Sequence, residues 1–232
     1  MNPLEASRSP GAGLVGRRPK LTLALALLAG LALAFAGRLA PRATRVGYTP
    51  VVEGVLNDTG LPASGAERPL VTLAVFSDYQ CPICRADEPA LEKIAKRTDD
   101  VRLLYVDWPI FGPASTLAAQ YALAANEQGR YVPMHRALMA ARPPFTVGAL
   151  DQIARSAGVD VPRLHRDLVA DRGGIEARLR KNRLEAWSLG LQGTPAYLTG
   201  PYLWMGAVGE GRLSATIGRA RRDIAPETGA QP

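Results

Sequence analysis

Phe76-Ser77-Asp78-Tyr79-Gln80-Cys81-Pro82-Ile83-Cys84-Arg85 (FSDYQCPICR) holds both cysteines of the 232-residue chain, three positions apart. Immediately upstream, Leu70 to Phe76 (LVTLAVF) is a short apolar run of the kind that forms a strand buried on both faces. Downstream, a helical pattern runs to about Arg97, with Pro89 inside it as an expected kink. The two thiols therefore sit where a strand turns into a helix. The unpaired N–H groups and the dipole at such a helix start favour negative charge, so a thiolate is stabilised there.

Two other roles for a cysteine pair fit poorly. A structural disulfide across so short a loop restrains little unfolded-chain entropy. A structural zinc site needs two more ligands, and the two histidines, His135 and His165, lie thirty residues apart without ligand spacing. They are expected at the surface or as caps. Dithiol chemistry remains: Cys81, first on the helix and nearer solvent, is the expected nucleophile. Cys84, a turn further in, is the expected resolving thiol, and Pro82 sets the backbone at the helix start.

Further out, Val101 to Val106 (VRLLYV) predicts a second strand, parallel to the first because a crossover helix returns the chain. A block of helices follows. These are Ala114–Glu127, Tyr131–Ala141, one capped by Thr146 and ended by Gly158, one opened by Asp160 and Pro162, and Ile175–Leu189 closed by Gly190. After Gly193-Thr194-Pro195 come two extended pieces, Ala196–Thr199 and Tyr202–Met205, then a helix over about Gly211–Arg222. The order is β-α-β, a helical insertion, then β-β-α.

FSDYQCPICR, with Gly193-Thr194-Pro195 about 110 residues later, resembles the DsbA-like thiol–disulfide oxidoreductases of the thioredoxin superfamily. The similarity spans about Val55 to Arg222, including VLNDTG before the first strand. It implies an α/β, thioredoxin-like fold with a helical insertion between the second and third core strands, over about residues 113–190 of a domain at 67–223. It also implies a cis Thr194–Pro195 bond whose loop packs on the cysteines and pairs with the substrate backbone. No cofactor is implied beyond the redox-active Cys81–Cys84 disulfide itself. Two features depart from the family. Strong oxidants of this kind often carry histidine where Ile83 stands, and the Ile83 side chain offers the thiolate neither a hydrogen bond nor a charge. Pro201 falls where relatives more often have a polar hairpin, so an irregular edge is expected there.

The net charge of +7 is concentrated at one end. Residues 1–50 hold seven basic groups against Glu5 alone, so the rest of the chain is nearly neutral and nucleic acid is not an expected partner. Leu21 to Gly37 (LTLALALLAGLALAFAG) is uncharged and follows Arg17, Arg18 and Lys20. It fits a transmembrane signal anchor with residues 1–20 inside and the domain outside. Cleavage near Ala34-Phe35-Ala36 as a signal peptide is the alternative, and the twin-arginine route fits weakly. Residues 38–66 predict a tether and residues 224–232 a flexible tail. Such a protein works in the periplasm or at the outer face of the cytoplasmic membrane, on exported thiol- or disulfide-containing proteins, with a quinone-linked membrane partner to reoxidise it.

Other residues support open readings. Asp78 fits a turn or cap role as well as an influence on the thiols. Tyr79, Trp108 and Trp204 fit an apolar substrate surface or the core. Arg178, Arg180, Lys181 and Arg183 fit a solvated helix face better than a partner site. The net reaction also stays open between forming disulfides, reducing or isomerising them, and holding Cu(I) on the two sulfurs. Replacing Ile83 with His is expected to raise the reduction potential of the pair; an unchanged potential in a glutathione redox titration would contradict this reading of the dipeptide.

Overall fold

The computed structural model describes residues 43–224, together with five helical positions upstream, Leu23, Ala26, Leu27, Ala29 and Gly30. The expected inner segment 1–20, most of the expected anchor 21–37 and the tail beyond Ile224 lie outside the described residues. Among the described residues, no helix is long and apolar enough to cross a membrane.

Two parallel strands form the middle of the domain. β3 (Val71–Ser77) pairs with β4 (Val101–Asp107) in register from Val71↔Val101 to Ser77↔Asp107, with helix α2 (Pro82–Arg97) crossing between them. A crossover connection of that length permits a parallel pair, as the sequence predicts. On the other side of β3 lies the antiparallel hairpin β5 (Ala196–Thr199) and β6 (Tyr202–Met205). Two short strands close the edges, β1 (Thr44–Arg45) against β6 and β2 (Ala63–Gly65) against β4. The full order is β1-β6-β5-β3-β4-β2.

Side-chain alternation along β3 and β4 divides the core in two. Leu73, Val75, Leu103 and Tyr105 face one cluster, with Leu91 and Ile94 of α2 and Leu213 and Ile217 of the last helix, α8 (Gly209–Ile224). Ala74, Phe76, Leu104 and Val106 face the other, with Trp108 and Leu191. The insertion supplies α3 (Pro113–Asn126), α4 (Tyr131–Ala140), α5 (Val147–Ser156), α6 (Val161–Ala170) and α7 (Arg172–Ser188). Thr146 and Asp160 cap α5 and α6 through their side chains, as their residue types predict.

Two expectations are corrected. Residues 38–66 are not a tether from residue 43 onward. Besides β1 and β2 they form α1 (Pro50–Leu56), whose Val52 and Val55 are fully buried with Leu61 in the second core cluster. Their polar and Pro-rich composition conceals three apolar side chains at the spacing of one helix face and its exit. Pro201 does not disturb the edge either. With Gly200 it forms the two-residue turn of a regular hairpin, where its missing N–H costs no ladder bond, and its carbonyl accepts from Val46 N at 2.8 Å. Gly200 has φ +51°, and a Cβ there would stand 3.1 Å from the Tyr48 hydroxyl. Helix α2 continues unbroken through Pro89.

Asp58 fastens this N-terminal piece to the insertion. Its carboxylate accepts from Arg178 at 2.5 Å and Lys181 at 2.6 Å, and these contacts hold its pKa at about 2 despite partial burial. Arg178 and Lys181 of the basic run on α7 are thus ion-pair partners of Asp58 rather than part of a free solvated face. A chain beginning at Glu67 is expected to lose cooperative thermal unfolding. Three buried side chains at roughly 1.5–3 kcal/mol each amount to about 5–9 kcal/mol, comparable with the whole stability of a typical domain. A melting temperature within a few degrees of the full chain would contradict the structural role of this segment.

Candidate active site

Cys81 is the N-cap of α2 and Pro82 occupies N1, where a missing N–H leaves nothing unsatisfied. The preceding turn is closed by Cys81 N–H to the Asp78 carbonyl at 3.0 Å. The Cys81 sulfur accepts from Cys84 N–H at 3.3 Å, and its thiol donates to the Thr194 carbonyl at 3.4 Å. Thr194 and Pro195 are joined by a cis bond, and residues 113 positions apart in the chain meet at the sulfur. Both cysteines are free and both are buried, at 1% and 3% exposure. Both thiols are thus covered, Cys81 beneath the Thr194 carbonyl, and Cys84 is the more deeply set of the two.

What separates the thiols is electrostatic. Cys81 is lowered to about 6, first by the hydrogen bond from the Cys84 thiol, against the opposing effect of burial. The Thr194 side chain and the Cys84 and Ile83 N–H groups add to the lowering. Cys84 moves the other way, far above an ordinary thiol, because it gives that hydrogen bond and is itself buried. The Thr194 hydroxyl is buried without a hydrogen-bond partner and favours the charged form of both sulfurs. Ile83 is half-exposed between the cysteines.

Asp78 carries more than a turn. Fully buried, its carboxylate accepts four hydrogen bonds: from Gln80 N at 2.7 Å, Ser115 Oγ at 2.6 Å, Ile110 N at 2.6 Å and Phe111 N at 3.1 Å. It joins the turn before Cys81 to the loop that enters the insertion, and Gln80 strengthens the same joint by donating to Ser115 Oγ and the Phe111 carbonyl. The loop then presents Ile110 and Phe111, exposed at 41% and 51%, beside the turn that enters the active-site helix. Met205, opposite Ala196 in the hairpin after Pro195, is exposed as well. Ile83, Ile110, Phe111 and Met205 thus form an apolar collar on the segments that carry the cysteines, are tied to them through Asp78, or follow the Thr194–Pro195 loop, whereas Tyr79, Trp108 and Trp204 are buried. Only Ile83 of this collar is legible in the sequence; the others carry no local signal.

Beneath the site a buried polar chain links the core to the insertion. Tyr131 donates to Asp107 at 2.9 Å, Tyr79 lies 3.3 Å from Tyr131 and 3.1 Å from His135 Nδ1, and His135 Nε2 lies 3.3 Å from Glu88. Burial pushes the Asp107 carboxyl up to about 6, opposed by His135 and the two tyrosine hydroxyls. His135 is thus a core residue, not a surface or cap residue, while His165 is partly exposed against Asp151 at 2.9 Å. Among the described residues no three His, Cys, Asp or Glu side chains are grouped to hold a metal ion.

A mixed sheet with a dithiol at the start of its crossover helix and a cis-proline loop on the sulfur defines a thioredoxin-fold oxidoreductase. A family profile for the DSBA-like thioredoxin domain matches residues 72–218, and the chain belongs to that family. A thioredoxin-like oxidoreductase from Silicibacter pomeroyi DSS-3 is similar at 34% identity and TM-score 0.69, over 73% of this chain and 97% of that one. The thiol-disulfide exchange protein alpha-DsbA2 from Wolbachia pipientis is similar at 26% identity and TM-score 0.69, over 72% of this chain and 90% of that one. A curated relative, the Na(+)/H(+) antiporter NhaA 3 of Salinispora tropica, is 28% identical over 91% of this chain, which spans only 34% of the antiporter's length. The domain is a thiol–disulfide oxidoreductase.

Alkylation of the reduced protein by iodoacetamide is expected to rise through a midpoint near pH 6, since Cys81 is lowered to about 6, and to level off above about pH 7. Cys84→Ala removes the largest lowering influence and is expected to move that midpoint upward. A midpoint near 8.5 in the parent protein, the ordinary thiol value, would contradict the assignment.

Proposed function

We propose that the chain is an exported, membrane-held enzyme that forms disulfides in other exported proteins, with Cys81 as the sulfur that forms the mixed disulfide and acts as the nucleophile when the pair is reduced. The acidified Cys81 thiol beside a Cys84 thiol pushed up carries this reading. A couple whose reduced form is stabilised as a thiolate is the more oxidising one. A value of about 6 lies between the roughly 7 of thioredoxin and 3.5 of the strongest oxidant. A potential between the corresponding limits, about −270 and −120 mV, is expected.

In the forward reaction a client thiolate attacks Cys81 of the oxidised pair, and Cys84 leaves and takes up a proton. A second client thiolate then attacks the client sulfur of the mixed disulfide. Cys81 leaves as the stabilised thiolate, the client gains a disulfide, and two electrons rest on the pair. A membrane redox partner removes them. Pro82 fixes the helix start, Ile83 leaves the space above the sulfurs apolar, and the Thr194–Pro195 loop presents backbone beside the mixed disulfide. The apolar collar of Ile83, Ile110, Phe111 and Met205 suits client segments that are not yet folded.

Location rests on the run 21–37 with its basic flank. The similarity to the antiporter covers so much of this chain that it takes in nearly all of that run, which supports a membrane segment joined to the domain. A disulfide reductase would use the same residues with the electron flow reversed. Oxidation of a reduced, unfolded test protein is expected with the full chain and is expected to be abolished in Cys81→Ser. Activity retained in that variant, or a pair found mostly as dithiol in cells, would overturn the oxidase reading.

A further inference from the structure

The insertion carries a second surface, on the seam between α3 and α7, that the redox chemistry does not use. Two adjoining hollows share Gln120. One, of about 270 Å³, lies among Leu117, Leu168 and Ile175 with Arg172 at its rim. The other, of about 230 Å³, lies among Trp108, Pro109 and Leu179, with Arg180 and Arg183 at its rim. Together they form a trough with an apolar floor. Its near end is the Trp108-Pro109 segment, which runs directly into Ile110 and Phe111, the residues tied to Asp78 beside the sulfurs. The trough is continuous in the chain with the rim of the site.

Its two walls differ in charge. Helix α3, Pro113–Asn126, contains no charged residue. On the α7 wall stand Arg172, Arg180 and Arg183, all exposed. Glu176 is the one carboxylate lining the trough, 3.0 Å from Arg172 and 3.9 Å from Arg180. Arg183 has no carboxylate partner among the described residues, and its guanidinium lies 5.3 Å from the centre of the Trp187 ring. Arg178 and Lys181 are held by Asp58 and do not contribute. Three guanidiniums against one carboxylate leave a net positive rim over an apolar floor.

We infer that this trough binds an extended, acidic and apolar segment of the client polypeptide while the client's cysteine is at Cys81. Arg172 and Arg183 are eleven residues apart on one helix, about 16 Å at 1.5 Å per residue. That length accommodates about five residues of extended chain at roughly 3.3 Å each. Client carboxylates meet the arginines, which suit bidentate pairing, and an apolar client side chain enters between Leu117 and Ile175. A polypeptide fits better than a lipid surface because the contact is a cleft between two helices rather than a protruding face. The assignment of the occupant as client rests on the exchange chemistry proposed for Cys81.

The test uses a cysteine-free, fluorescein-labelled decapeptide of Asp, Glu and Leu, so that binding is read apart from any redox step. By fluorescence anisotropy the full chain is expected to bind it more tightly than its Lys-for-acid counterpart, and less tightly as salt screens the exposed charges. The double variant Arg180→Glu, Arg183→Glu is expected to bind it at least tenfold more weakly. Both positions are exposed, and circular dichroism checks that the variant is folded. The same reversal at Arg155 and Arg212, exposed residues elsewhere on the domain, is expected to leave binding within about twofold. Equal binding of the two peptides, equal loss in both double variants, or binding to phosphatidylserine vesicles with none to the peptide would each overturn the proposal. A protein that binds the acidic peptide but oxidises no test protein would instead sink the redox reading and leave the trough standing.

Discussion

The buried carboxylate of Asp78 is the constraint on which the site depends. A carboxylate taken out of water is costly unless its lone pairs are met, and here four donors converge on it from two separate segments. Two of those donors are backbone N–H groups of the loop leaving β4, which the parallel pairing of β3 and β4 brings alongside the turn before Cys81. Removing the carboxylate would leave buried donors unpaired in both segments, at roughly 1–3 kcal/mol each. The same residue therefore sets the entry into the active-site helix, the position of the apolar collar and the start of the trough.

Above that joint, chemistry is assigned by hydrogen bonding rather than by access to solvent. Both thiols are covered, yet one receives donors and the other gives one away. The helix N-terminus contributes through the Cys84 and Ile83 N–H groups, but the largest single lowering of Cys81 comes from its partner thiol. A pair so coupled responds to anything that moves the Thr194–Pro195 loop, because that loop lies over both sulfurs.

Below it, the chain from Asp107 through Tyr131, Tyr79 and His135 to Glu88 joins α2, β4 and α4 by polar contacts in an otherwise apolar cluster. Burying so many titratable groups is tolerable only because each finds a partner. Their directional bonds fix how the insertion sits on the sheet, and so how α3 is presented beside the site.

Much of this was determined by sequence alone. The apolar run Leu70–Phe76, the Cys81–Cys84 spacing and Pro82 imply a strand turning into a dithiol-bearing helix, because strand burial, helix entry and thiolate stabilisation are local properties. The insertion helices and the two extended pieces after Pro195 are legible for the same reason, from caps and periodicity over a few residues. Tertiary structure decided the rest. Residues 43–66 look like a tether because Val52, Val55 and Leu61 are few among polar neighbours, and only the second core cluster shows what they cover. His135 becomes a core residue, Asp78 a four-way acceptor and Phe111 part of the rim of the site through contacts with residues roughly 30 to 55 positions away. The lowering of Cys81 likewise draws on Thr194, more than a hundred residues distant. No local pattern encodes such contacts; they exist only once the sheet has set the distances.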